Sequence, residues 1–91
     1  MFMKIIKKDR TIEKFEIHKV ETSMLNAAYD INMSLTPSDL NIMLNYITKL
    51  VKSLHKETNT TNVYEMRSLI NKTLIDFGFS EIAKSYMNDV Y

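Results

Sequence analysis

The chain has 91 residues, one glycine, one proline, no cysteine and a formal net charge of +1. That length suits a single domain, residues 1–91, and the lack of cysteine removes disulfides, thiolate zinc sites and thiol nucleophiles together. The near-zero charge does not by itself call for nucleic acid, and no apolar run approaches the ~20 residues that span a bilayer.

Residues 3–7 and 11–15 are short runs rich in β-branched or aromatic residues, separated by Lys8-Asp9-Arg10, a spacing that predicts a hairpin. Its turn is imperfect. A two-residue turn wants φ > 0 at both central positions, which favours Asp-Gly over Asp-Arg. Arg10 in a left-handed conformation costs roughly 1–2 kcal/mol, so either the turn is of another type or Arg10 is strained. Next, Ile17, Val20, Met24, Ala27, Ala28 and Ile31 recur at spacings of three and four, the inner face of a helix with Glu21 and Thr22 opposite. Asn32 tolerates the left-handed stop.

Leu35-Thr36-Pro37-Ser38-Asp39-Leu40 announces a second helix. Thr36 can cap free N–H groups, and Pro37 falls where its missing N–H costs nothing. Asp39 suits the positive end of the dipole, and Leu35 and Leu40 are spaced as a hydrophobic staple. The helix runs to about Leu54, with Leu40, Met43, Ile47, Leu50, Val51 and Leu54 inward. The polar stretch 55–61 is the expected loop, with room for a very short third strand at Thr60 and Thr61. Asn62-Val63-Tyr64-Glu65 has the form of a capping box and opens a third helix, with Val63, Met66, Ile70, Leu74 and Phe77 inward. Gly78 stops it with φ > 0. Ser80 starts a last helix whose apolar positions are Ile82, Ala83, Tyr86, Met87 and Val90. The fold class is α+β, mostly α: an N-terminal β-hairpin in a small two- or three-stranded sheet, then four helices.

Little catalytic chemistry is legible. His18 and His55 are far apart, neither has a partner at metal-ligand spacing, and both read as structural or surface residues. One glycine cannot build a glycine-rich phosphate loop. Glu13 and Glu16 have no nucleophile near them and read as surface charge or a single hydrogen-bonding contact. Met24, Met43, Met66 and Met87 sit at core spacing. The opening is more distinctive. Residues 1–19 carry a surplus of three positive charges, so the rest carries a surplus of two negative ones. A hairpin packed on the first helix would gather Lys7, Lys8 and Lys19 near a helix N-terminus, an arrangement suited to polyphosphate. Glu13 and Glu16 could accept from an exocyclic amine, and Ile5, Phe15 and Val20 could form an apolar slot for a flat base.

The run Lys7-Lys8-Asp9-Arg10-Thr11-Ile12-Glu13-Lys14-Phe15-Glu16-Ile17-His18-Lys19-Val20 resembles the opening of the ATP-cone, the regulatory nucleotide-binding domain of ribonucleotide reductases and of the bacterial repressor of their genes. A second patch is similar to the same family: Asn62-Val63-Tyr64-Glu65-Met66-Arg67, then Ile70, Leu74, Gly78-Phe79 and Ala83-Lys84-Ser85-Tyr86. The resemblance implies a four-helix bundle capped by the small sheet, with ATP or dATP beneath it and Mg²⁺ arriving on the nucleotide. It implies allosteric control of a reductase catalytic domain or similar partner, without catalysis by the chain itself. Lys7, Lys8 and Arg67 would meet phosphate, Glu13 and Lys19 would help read adenine and sugar, and Ile5 and Val20 would line the base pocket. Homo-oligomers are a possible assembly, direct nucleic-acid binding and membrane insertion are not expected, and the expected location is cytoplasmic.

Three departures qualify the match. Arg10 replaces a glycine, Lys8 lacks the fork of the usual arginine, and Asn88-Asp89-Val90-Tyr91 stand where basic residues often follow. Arg10 and the C-terminal departure motivate an alternative, a degenerate cone that no longer binds nucleotide and serves as a protein-interaction or oligomerisation domain; the departures also suit weaker binding or a fragment of a longer reductase.

Overall fold

The computed structural model describes residues 3–89, the side chain of Asp89 excepted. Three short strands, β1 (Lys4–Ile6), β2 (Ile12–Lys14) and β3 (Thr60–Asn62), accompany four helices, α1 (Ile17–Asp30), α2 (Pro37–Leu54), α3 (Val63–Asp76) and α4 (Ser80–Asp89). The protein is thus α+β and mostly helical. No helix among the described residues is long and apolar enough to cross a membrane.

The hairpin loop has three residues rather than two. Arg10 N donates to the Lys7 carbonyl at 2.9 Å, and Lys7 N donates to the Thr11 carbonyl at 2.9 Å. Asp9 Oδ1 accepts from the Thr11 backbone at 3.1 Å and from its hydroxyl at 2.6 Å, bracing the loop. A loop of this kind needs φ > 0 only at its third position. Arg10 occupies it with φ 70°. The turn is of another type, and one residue still carries the left-handed conformation.

β1 is the central strand. It pairs antiparallel with β2, placing Ile5 opposite Glu13, and parallel with β3, placing Ile5 opposite Thr61. Alternation along strands puts Ile5, Glu13 and Thr61 on one face, and that face meets the helices, where Thr61 is buried. β3 is one residue longer than the Thr60–Thr61 strand expected, because Asn62 pairs with Ile6 while also capping α3.

Local chemistry accounts for the helix ends. Asp39 N donates to Thr36 Oγ1 at 3.1 Å at the start of α2. Asn62 Oδ1 accepts from Glu65 N at 2.9 Å at the start of α3. The Glu65 carboxylate accepts from Thr61 Oγ1 at 2.8 Å and pairs with His55 Nε2, so it serves the loop before the helix. α1 and α3 both end in the paired backbone bonds of a left-handed stop. Asn32 (φ 57°) and Met33 donate back to Tyr29 and Ala28; Gly78 (φ 90°) and Phe79 donate back to Ile75 and Leu74.

α1 packs on α2 and α4, and α3 packs on α2 and α4. Met24, Met43, Ile47, Leu74 and Ile82 are fully buried between them. Ser85 Oγ donates to the Ala27 carbonyl at 2.7 Å, satisfying a buried hydroxyl and tying α4 to α1. Three positions expected inside are exposed: Ile31, Leu54 and Phe77. Ile31 and Phe77 are the residues that follow α1 and α3, where the chain has left helical geometry, and Leu54 is the last residue of α2, beyond the core. The Phe77 ring instead meets Tyr46 edge-on at 5.5 Å. Leu44 and Thr73 are buried without having been expected there. Val90 lies outside the described residues.

Candidate functional site

A cleft of about 190 Å³ opens between the inner face of the sheet and α1, α3 and α4. The strands bring Ile5, Lys7, Glu13, Lys14 and Phe15 to it, because alternation turns 5, 7, 13 and 15 toward the helices. α1 presents Glu16, Lys19, Val20 and Ser23, successive positions of one helix face. The opposite wall is Val63, Met66, Arg67 and Ile70 of α3, and Tyr86 of α4 completes the lining. Apolar side chains thus form much of the surface, and charged groups stand on both walls.

On the hairpin side, Glu13 lies between two lysines. Its carboxylate is 3.5 Å from Lys7 Nζ and 3.3 Å from Lys19 Nζ. The hydrogen bond and charge of Lys19, then the charge of Lys7, hold the Glu13 carboxyl below its ordinary value. All three groups are substantially solvated, so they remain mobile charges rather than a locked pair. Their proximity gathers two ammonium groups at one rim, which an anion with several oxygens could bridge.

The start of α1 adds backbone donors. Glu16 is its N-cap but makes no side-chain capping bond, and no acidic residue stands in the first turn. A helix start of this kind retains N–H groups that favour negative charge. Ser23, one turn further along, is already engaged: its hydroxyl donates to the Lys19 carbonyl at 2.9 Å.

Across the cleft, Arg67 has no ion pair among the described residues. Its neighbour Tyr86 is 6% exposed. Burial raises the phenol above its ordinary value, and the Arg67 charge opposes part of that rise. The phenol is therefore a neutral hydroxyl at physiological pH.

Of the residues singled out in the sequence, Ile5, Lys7, Glu13, Phe15, Glu16, Lys19, Val20 and Arg67 all border this one cleft. Lys8 does not: it is exposed in the hairpin loop and is not part of the lining. Arg10 is likewise exposed and outside it. Sequence reasoning gave Tyr86 and Met66 core positions and no contact role, and passed over Ser23. Helical spacing cannot distinguish a residue facing a core from one facing a cleft within it. No group of three or more His, Cys, Asp or Glu side chains able to hold a metal gathers among the described residues.

A family model for the ATP cone domain matches residues 3–88. No curated protein matches the chain.

Proposed function

From the premise that the chain belongs to the ATP-cone family, whose members are nucleotide-binding regulatory domains without catalytic activity of their own, we propose that it binds ATP or dATP in the cleft beneath its sheet and thereby controls a ribonucleotide reductase or a similar partner in the cytoplasm. The observation that carries this reading is the convergence of eight expected contact residues on one cleft that is apolar inside and cationic at its rim.

The chemistry follows from what each wall offers. Ile5, Phe15 and Val20 give a flat base an apolar surface, while Glu13 and Glu16 provide acceptors for its exocyclic amine. Lys7 and Lys19 meet the phosphates from the hairpin side, and Arg67 meets them from α3. The volume of about 190 Å³ is below the ~300 Å³ at which compact ligand pockets begin. The base therefore takes the enclosed part, and the phosphates run along the open rim with their Mg²⁺. Lys8, being outside the lining, acts on the phosphates only through its charge or after movement of the loop.

Binding energy spent between the hairpin and α3 is the means of control. A nucleotide held by both walls favours the arrangement in which they are close, and a partner that reads either wall is biased accordingly. No specific observation favours the alternative of a degenerate interaction domain: Arg10, one of the two departures that motivate it, stands outside the cleft, and residues 90 and 91 of the other lie outside the described residues. Isothermal titration with ATP, dATP and GTP decides the matter. Heat with the adenine nucleotides and less with GTP is the expected result; silence with both ATP and dATP at millimolar concentration would overturn it.

A further inference from the structure

The phenol of Tyr86 is an unexplained polar group in the cleft. The residue is 6% exposed, yet its hydroxyl takes part in none of the hydrogen bonds found among the described side chains. No buried side-chain nitrogen or oxygen among the described residues is both sealed from solvent and without a partner. The hydroxyl is therefore not enclosed in the core: the small exposure left to Tyr86 includes its oxygen, and Tyr86 lines the cleft. A tyrosine so deeply packed usually finds a protein partner for its oxygen. Here the ring is held by the core while the hydroxyl is presented to the cleft.

Beside it stands Arg67, a guanidinium with no carboxylate partner among the described residues. Arginine offers donors only, in a planar fork matched to phosphate. A ligand atom meeting Arg67 must therefore be an acceptor, and a neutral phenol can donate to the same group. The lysines opposite share the Glu13 carboxylate, so the uncompensated cation of this wall is Arg67. A phosphate oxygen meets these demands better than a sugar hydroxyl, which would leave the Arg67 charge unanswered.

We propose that Tyr86 and Arg67 form one composite phosphate clamp on the α3–α4 wall, with the Tyr86 hydroxyl donating to the phosphate group that the Arg67 guanidinium holds. The inference rests on the nucleotide-binding reading and deepens it. The phosphate chain runs across the cleft from Lys7 and Lys19 to this clamp, so that binding selects for polyphosphate length and draws α4 into contact with the effector.

The test is Tyr86→Phe, which keeps the buried ring, with Arg67→Gln and the double variant alongside. Each is titrated with ATP, adenosine and inorganic tripolyphosphate, and circular dichroism verifies the fold. Loss of a hydrogen bond to a charged group predicts that Tyr86→Phe weakens ATP and tripolyphosphate roughly 10-fold and leaves adenosine unchanged. The double variant should lose less than the product of the single losses, because both groups hold one phosphate. Equal losses for ATP and adenosine would place the hydroxyl on the nucleoside and overturn the clamp; so would unchanged ATP and tripolyphosphate binding, while leaving nucleotide binding itself intact. If the unaltered protein binds tripolyphosphate with Tyr86 dependence but neither ATP nor adenosine, the clamp stands and the nucleotide reading falls. If it binds none of the three probes, both fall.

Discussion

Arg10→Gly is the substitution whose outcome tests the hairpin most directly. Arg10 holds φ 70° at the third loop position, where an L-residue is disfavoured by roughly 1–2 kcal/mol. Glycine removes that cost but brings about 0.5–1 kcal/mol of extra chain freedom in the unfolded state. At the middle of both ranges the expected net gain is about 0.75 kcal/mol. In a domain of this size each kcal/mol moves Tm by about 4–8 °C, so a rise of roughly 3–6 °C is expected in thermal denaturation. Arg10→Ala is the control: it removes the guanidinium but keeps a Cβ, and should gain little. The exposed setting of Arg10 supports that separation, because no core packing is lost in either variant. A Tm that is unchanged or lower in Arg10→Gly would refute the strained-turn account. Equal gains for glycine and alanine would move the cause from the backbone to charge repulsion with Lys7 and Lys8.

Lys7→Ala should weaken triphosphate binding far more than adenosine binding in calorimetric titration; equal losses would remove Lys7 from the phosphates. Gly78→Ala meets nothing within 4 Å of the added Cβ, so its cost is the backbone alone at φ 90°, about 1–2 kcal/mol; a neutral result in urea denaturation would show that the α3 stop tolerates another conformation. Glu65→Gln probes acid stability. Burial would raise the Glu65 carboxyl, but hydrogen bonds from His55 and Thr61 bring it below the ordinary 4.5. The unfolded chain therefore takes up the proton first, and the contribution of Glu65 is fully present above pH 4.5 and is lost as pH falls through the lower folded value. The Gln variant should be roughly 1–2 kcal/mol less stable at pH 7 and show a flatter stability profile on the acid side; a profile parallel to that of the unaltered protein would exclude Glu65 as the source.

The helices and their ends were legible because their causes are local. Thr36, Asn62, Asn32 and Gly78 act within four residues of themselves, and each stands at the cap or stop its chemistry suggested. Periodicity likewise marked most of the core. It failed at Ile31, Leu54 and Phe77, where the repeat continues but the helix or the core beneath it has ended. The Glu65 carboxylate shows the limit of motif reading: the spacing fits a capping box, yet packing of the 55–61 loop gives it His55 and Thr61 as partners.

The candidate site divides the same way. Its hairpin side is written contiguously from Lys7 to Val20, so strand alternation and one helical turn suffice to gather Lys7, Glu13 and Lys19. Its other wall comes from Val63, Arg67 and Tyr86, separated from the hairpin by the whole of α2. Only the parallel pairing of β3 with β1 and the packing of α4 against α1 bring that wall opposite. Periodicity by itself determined that Tyr86 would face inward. The tertiary structure decided that inward, at that position, is a cleft, because a helix repeat fixes the direction of a side chain but not what the rest of the chain sets in front of it.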